Sequence, residues 1–298
     1  MRFKKKIRKL LLNATTPFLM FLARRFSSLP LQTQIKVGSA TGGFFYFLSK
    51  RRKKICMCNL KKCFPELSTE NLEKLSKESF KDLGMGAAEA IAALHLNDLH
   101  FKKIKFHTYG MNELKELSRK NISFIIFSAH FSSIELMLRA INAGGAIVSY
   151  KKYSNKTFNS YVLGRREKYY PCIEVHKLRK ILTMLKSGKS LFYFADQDSK
   201  KNPCFSNFFN TPCSMSSVIE RMPEMAGSQS FFCHYYRDKK TFSYHIYFQR
   251  VSGPVTPDSY NQWLEAVVRQ HPEQYFWVHR RFKTRPHAES ENFYNKAV

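Results

Sequence analysis

Phe124-Ile125-Ile126-Phe127-Ser128-Ala129-His130-Phe131-Ser132-Ser133-Ile134-Glu135-Leu136-Met137-Leu138 is the stretch whose reading decides the fold class. From Ile122 to Phe127 the chain is a nearly unbroken apolar run, the pattern of a strand buried on both faces. A short turn follows, and Ser133 to Asn142 resumes with helical apolar spacing. A strand feeding a helix through a tight turn is half of a strand–helix–strand unit. The turn carries His130 and the first helical turn carries Glu135. Histidine exchanges a proton near neutral pH, and a nearby carboxylate fixes its tautomer and stabilises its charged form. A helix N-terminus at the same place offers backbone N–H groups to a developing oxyanion.

Spacing limits this reading. On one continuous helix, positions i and i+5 lie roughly 140° apart. The pair therefore requires His130 in the turn and Glu135 inside the first helical turn. Ser132-Ser133-Ile134-Glu135 also has the form of a capping box, in which Glu135 only reaches back to a backbone N–H. Both readings stand on the spacing alone.

Outward from this stretch the pattern alternates. Strands are expected at Ile104–Tyr109, Ile122–Phe127, Ala146–Tyr150, Leu191–Phe194, Ser230–Tyr236 and Ser243–Arg250. Helices are expected at Glu113–Arg119, Ser133–Asn142, Asn155–Lys168, Lys177–Lys186, Ser214–Ala226 and Ser259–Gln270. Ser68 to Leu96 reads as one or two helices, started by Ser68 three residues before Asn71. Alternation of this kind predicts an α/β domain with a mixed, mostly parallel central sheet flanked by helices. Only Arg237 to Thr241 separates the last two strands, so they pair as a hairpin. Ligands of such sheets sit at the carboxyl ends of strands, where His130 and Asp196 both fall.

The net charge of +28 is the compositional outlier. It predicts an anionic partner, whether nucleic acid, a membrane surface, an acidic protein or a phosphorylated lipid. The seven cysteines show no paired metal-ligand spacing, so no zinc site or disulfide framework is expected, and the thiols read as reduced. Six cations between Arg2 and Lys9 precede an interrupted apolar run, Leu10 to Ala23, closed by Arg24 and Arg25. That run is shorter than the roughly 20 residues a spanning helix needs. Residues 1–50 read as a basic, apolar, membrane-associating helical segment and residues 51–298 as the α/β domain, with Lys50 to Lys54 attracted to an anionic leaflet. A core helix with a solvated basic face is the alternative.

Four separated blocks carry a family resemblance. They are Asn59-Leu60-Lys61-Lys62-Cys63-Phe64-Pro65-Glu66-Leu67-Ser68; the His130/Glu135 stretch; Tyr193-Phe194-Ala195-Asp196-Gln197-Asp198 with Phe208-Phe209-Asn210-Thr211-Pro212; and Pro272 to Pro286. In this order they resemble the bacterial lipid A secondary (late) acyltransferases of the lauroyl/myristoyl type. The resemblance implies a glycerolipid-acyltransferase-like fold at the cytoplasmic face of the bacterial inner membrane. It implies transfer of a fatty acyl group, from acyl carrier protein or another acyl thioester, onto a hydroxyl of a lipid A precursor. His130 would be the general base and Glu135 its orienter. Arg165, Arg166, Asp196, Asp198, Arg280 and Arg281 would bind substrate, the last two at an interfacial headgroup site. A thiol leaves readily, so neither metal nor other cofactor is needed, and no nucleic acid is expected as partner. No G-x-S-x-G elbow or reactive-cysteine motif favours an acyl-enzyme. The chain departs from the family pattern at Lys151, Ala195 and Asn210. Competing readings are a glycerophospholipid acyltransferase and a non-enzymatic basic membrane- or RNA-binding protein.

Overall fold

In the computed structural model, residues 15–286, 293 and 294 are described. The expected basic start at residues 1–14 lies outside them. Four helices come first: α1 (residues 15–26), α2 (Leu31–Leu48), α3 (Lys50–Cys63) and the long α4 (Thr69–His95). The α/β alternation follows: α5 (Asp98–Phe101), β1 (Lys105–Tyr109), α6 (Met111–Arg119), β2 (Phe124–Ser128), α7 (Ile134–Ala140), β3 (Ile147–Tyr150), α8 (Lys156–Arg166), β4 (Cys172–Glu174), α9 (Leu178–Lys186) and β5 (Leu191–Phe194). The chain closes with β6 (Pro203–Phe208), β7 (Thr211–Ser216), α10 (Val218–Ala226), β8 (Gln229–Asp238), β9 (Ser243–Arg250) and α11 (Pro257–Gln270).

Seven strands form one sheet in the order β1-β9-β8-β2-β5-β3-β4. Every neighbouring pair is parallel except the β8–β9 hairpin, so the sheet is mixed and mostly parallel, with helices flanking it. Strand β2 sits near its centre, and Phe124 to Phe127 are fully buried. That burial explains the unbroken apolar run, since both faces of the strand are covered. Helix α4 is a single element, and Ser68 accepts the Asn71 N–H at its start as the spacing predicts.

The structure departs from the sequence expectation at α10, at the β6–β7 ribbon and at β4. The helix expected from Ser214 begins at Val218, because Ser214 to Ser216 belong to β7, paired with β6 in a separate two-stranded ribbon. Phe209 and Asn210 make its two-residue turn, both at positive φ (50° and 54°), which matches the twist of a tight hairpin. Prolines 203 and 212 mask these strands in the sequence, and both fit because the ribbon consists of edges only. Strand β4, three residues long, is too short to leave a pattern.

Helices α2 and α4 cross at backbone contact. A Cβ on Gly38 or Gly84 would overlap the other's carbonyl oxygen. Beside this crossing lies an apolar cavity of about 590 Å³, lined by α2 (Val37, Thr41, Phe45), α4 (Leu83, Ala87, Ile91) and, from the C-terminal block, Phe276 and Val278. Among the described residues, no helix is long and apolar enough to cross a membrane.

Candidate active site

The register of the sheet brings the site together. Ser128 of β2 pairs with Phe194 of β5, so His130 and Asp196, each two residues further on, emerge side by side. The His130 ring lies with Nδ1 2.6 Å from Asp196 Oδ1, and the His130 backbone N–H donates to Oδ2 at 3.0 Å. An ionised carboxylate only accepts, so Nδ1 carries the proton and Nε2 keeps its lone pair. The Gln197 amide stands 3.3 Å from Nε2. Burial works to raise the Asp196 carboxyl, but the His130 ring, its backbone N–H and the Arg281 charge outweigh burial and hold it at about 2. His130 itself is half-buried, between the rings of Phe194 (5.1 Å) and Phe276 (6.2 Å). This is an imidazole oriented by Asp196, with Nε2 as the nitrogen able to act as a base.

Glu135 is turned elsewhere. Its carboxylate takes both Nε (3.0 Å) and Nη2 of Arg166, with the Tyr170 hydroxyl donating at 3.4 Å. The expectation that Glu135 orients His130 is therefore not met by the hydrogen bonding. A bidentate guanidinium from α8 is the stronger partner, and Asp196 already occupies Nδ1. Nor does Glu135 close a capping box, because Ser133, the N-cap residue of α7, makes no side-chain cap. Two donors of the turn are already engaged: the Phe131 N–H goes to Ala129 O and the Ser132 N–H to Gln274 O.

The remaining expected residues divide. Arg166 is compensated by Glu135. Burial alone would lower its guanidinium, and the carboxylate's charge outweighs that and raises it. Arg165 is half-exposed beside the Tyr161 ring. Asp198 ties loops together, accepting from Ser214 Oγ, Thr284 N–H and Thr284 Oγ1. Arg281 is buried, donating to Ser214 O (2.7 Å) and Asn261 Oδ1 (3.1 Å), and Arg280 lies half-exposed over the Tyr294 ring. The basic C-terminal block is thus largely a strap across the site rather than an open cationic surface.

The strap is held from three sides. Phe131 and Tyr275 form an antiparallel bridge, with the Phe276 N–H on His130 O at 3.1 Å. Asn59 of α3 donates to Trp277 O and His279 O, and Phe64 packs on Phe209 and Trp277. The Asp198 N–H donates to His279 Nε2 at 3.1 Å, and burial lowers that imidazole to about 4, keeping it neutral. The four blocks singled out in the sequence thus converge on one place. Residues the sequence reading missed include Gln197, Gln274 and Phe276; they lie inside quoted blocks, but only the fold shows what they touch.

A family model described as bacterial lipid A biosynthesis acyltransferase matches residues 1–284. The lipid A biosynthesis palmitoleoyltransferase of Escherichia coli (strain K12) is 28% identical over 274 residues, 88% of this chain and 89% of the relative. The lauroyltransferase of the same organism is 26% identical over 269 residues, 87% of this chain and 88% of the relative. A lipid A biosynthesis acyltransferase of Haemophilus influenzae is 26% identical over 289 residues, 91% of each chain.

Proposed function

We propose that this chain, which belongs to the bacterial lipid A biosynthesis acyltransferase family, moves a fatty acyl group from an acyl carrier protein thioester directly onto a hydroxyl of a lipid A precursor. The observation that carries the mechanism is His130, with Nδ1 committed to Asp196 and Nε2 left as acceptor. Nε2 takes the proton of the acceptor hydroxyl as its oxygen attacks the thioester carbonyl. The C–S bond breaks, and the imidazolium returns the proton to the departing thiolate. Asp196, ionised and buried, stabilises the imidazolium in between. The orienting role expected of Glu135 passes to Asp196, and Glu135 instead fixes Arg166 beside the site. Family membership sets aside the non-enzymatic alternative.

The apolar cavity suits the acyl chain. Its walls are mainly apolar side chains of α2, α4 and the C-terminal block, the surroundings a hydrocarbon chain requires. Phe276 lines it and stands beside the His130 ring, so a chain lying there presents its carbonyl end one ring away from the base.

The same reading puts the protein on the membrane surface. Phe18, Leu19, Phe21 and Leu22 of α1 and Phe44, Phe45, Phe47 and Leu48 of α2 are exposed, flanked by exposed Arg24, Arg25, Lys50 and Arg51. Apolar helix faces edged by cations lie in the plane of an anionic interface without spanning it.

The test is turnover. Purified protein with acyl carrier protein thioester and a phosphorylated lipid A precursor should yield a product heavier by one acyl group in mass spectrometry. His130→Ala should lower that rate roughly a hundredfold or more. Coenzyme A thioester in the same assay distinguishes the donors. Turnover by folded His130→Ala near the wild-type rate would sink the mechanism.

A further inference from the structure

Behind the catalytic turn lies a buried charge cluster that a packing account of the fold does not require. Arg237, near the end of β8, is buried with Asp82 and Glu89 of α4, pairing with Glu89 at 2.6 Å and also with Asp82. Lys239 reaches Asp82 Oδ2 at 2.6 Å, and the Tyr244 hydroxyl donates to Glu89 at 2.6 Å. The two buried carboxylates thus each meet a cation, and Glu273 stands 3.5 Å from Lys239 at the cluster's edge. Such clusters commonly contribute no more to stability than apolar residues of the same volume. This one also leaves Arg237 Nε and Glu89 Oε2 without hydrogen-bond partners among the described residues.

What sets the cluster apart is where it points. Strand β8 runs on past the end of β2, since Cys233 pairs with Ser128, and Arg237 lies four residues further on. From there its guanidinium reaches Ser133 Oγ at 3.3 Å, and Asp82 Oδ1 accepts from Ser132 Oγ at 3.3 Å. Gln274 completes the frame. Its amide pairs both ways with the Arg237 backbone at 2.9 Å, and its own carbonyl accepts the Ser132 N–H at 2.9 Å. The two residues following Phe131 are thus held by α4, β8 and the strap at once. Gly86 lets α4 approach this closely, because a Cβ there would overlap the Ser132 carbonyl oxygen.

We infer that the Arg237–Asp82–Glu89 cluster, with Gln274, is a positioning device that fixes the His130 turn so that Nε2 meets the acceptor hydroxyl. These are positioning residues, since they touch the turn and not the ring. The inference rests on His130 being the base. Proton transfer is sensitive to placement, and a displacement of about 1 Å can lower a rate about a hundredfold.

The experiment separates placement from folding. Arg237→Met with Asp82→Asn and Glu89→Gln removes the three fully buried charges, and the amide introduced by Glu89→Gln can still accept from Tyr244. The expected result is a melting temperature close to wild type, kcat down about tenfold to a hundredfold, and donor KM within about twofold. A second variant, Ser132→Ala/Ser133→Ala, leaves the cluster whole and cuts only its two side-chain links to the turn. It should fold and lose kcat in the same direction, again without a KM change. Unchanged kcat per folded molecule in this double variant overturns the inference, whatever the triple variant does. His130→Ala is assayed in parallel. If it is inactive while Ser132→Ala/Ser133→Ala is fully active, only the positioning role falls; if His130→Ala is active, the mechanism itself falls.

Discussion

Asp196 shows how a single carboxylate is given its task by a neighbouring strand. Its folded value of about 2 lies below the ordinary 3.8, so the ionised form is favoured by folding. For a depressed acid, the stabilisation is complete above the ordinary value and is lost as pH falls from about 4 towards 2. Asp196→Asn should therefore flatten the acid limb of the stability curve in that window, measured by melting temperature against pH. Near neutrality the same variant should lower kcat about a thousandfold or more, because the imidazolium loses its counter-charge. Glu135→Gln should behave differently. It leaves the mostly buried Arg166 with a neutral partner, costing about 2 kcal/mol of stability once partial exposure is discounted. Loss of turnover in Glu135→Gln as deep as in Asp196→Asn, with an unchanged melting temperature, would return the orienting role to Glu135. The sequence places His130 and Asp196 at strand ends, yet it cannot say that β2 and β5 are neighbours. That adjacency, from a crossover, decides which carboxylate reaches the ring.

At the level of elements, the strap from Pro272 to Arg285 explains why a cation-rich block can be largely interior. Arg281 donates to groups of β7 and α11, Asn59 of α3 holds two strap carbonyls, and His279 accepts from the Asp198 loop. His279 has a folded value of about 4, below the ordinary 6.5, so the unfolded chain binds the extra proton between them. Stability therefore falls as pH drops through that window, and protonation removes the acceptor from the Asp198 N–H. His279→Gln should show a shallower loss of melting temperature between pH 6.5 and 4 than wild type; equal slopes would remove His279 from the strap's support. Gly86→Ala should push the Ser132 carbonyl and lower both melting temperature and kcat, since the overlap is with backbone. Six of the seven main-sheet strands are legible in the sequence because buried strands and amphipathic helices leave distinct periods. The ribbon of β6 and β7 is not, since its prolines argue against strands unless edges are expected. The interior fate of Arg281 is not legible either, because local composition does not report what packs on it.

On the scale of the whole molecule, charge and apolar surface are unevenly distributed, and that distribution makes a testable claim. The net charge of +28 is spread over the chain, whereas large exposed apolar side chains crowd on α1 and α2. The same α2 walls the cavity that we assign to the acyl chain, so membrane contact and substrate seat share one element. If the two helices lie in the interface, insertion and electrostatics contribute separately. Binding to vesicles containing anionic lipid should weaken as salt rises, since exposed charges are screened beyond roughly 8–10 Å at physiological ionic strength. Changing Phe18, Phe21, Phe44 and Phe47 together to Ser should leave that salt dependence in place but weaken binding at every salt concentration. These four side chains are more than half exposed and line no part of the cavity, so the variant should fold and turn over a detergent-dispersed substrate normally. Sedimentation with vesicles, with turnover measured in parallel, reads both effects. Undiminished vesicle binding by this variant would mean that cations alone hold the protein to the surface and that α1 and α2 do not insert.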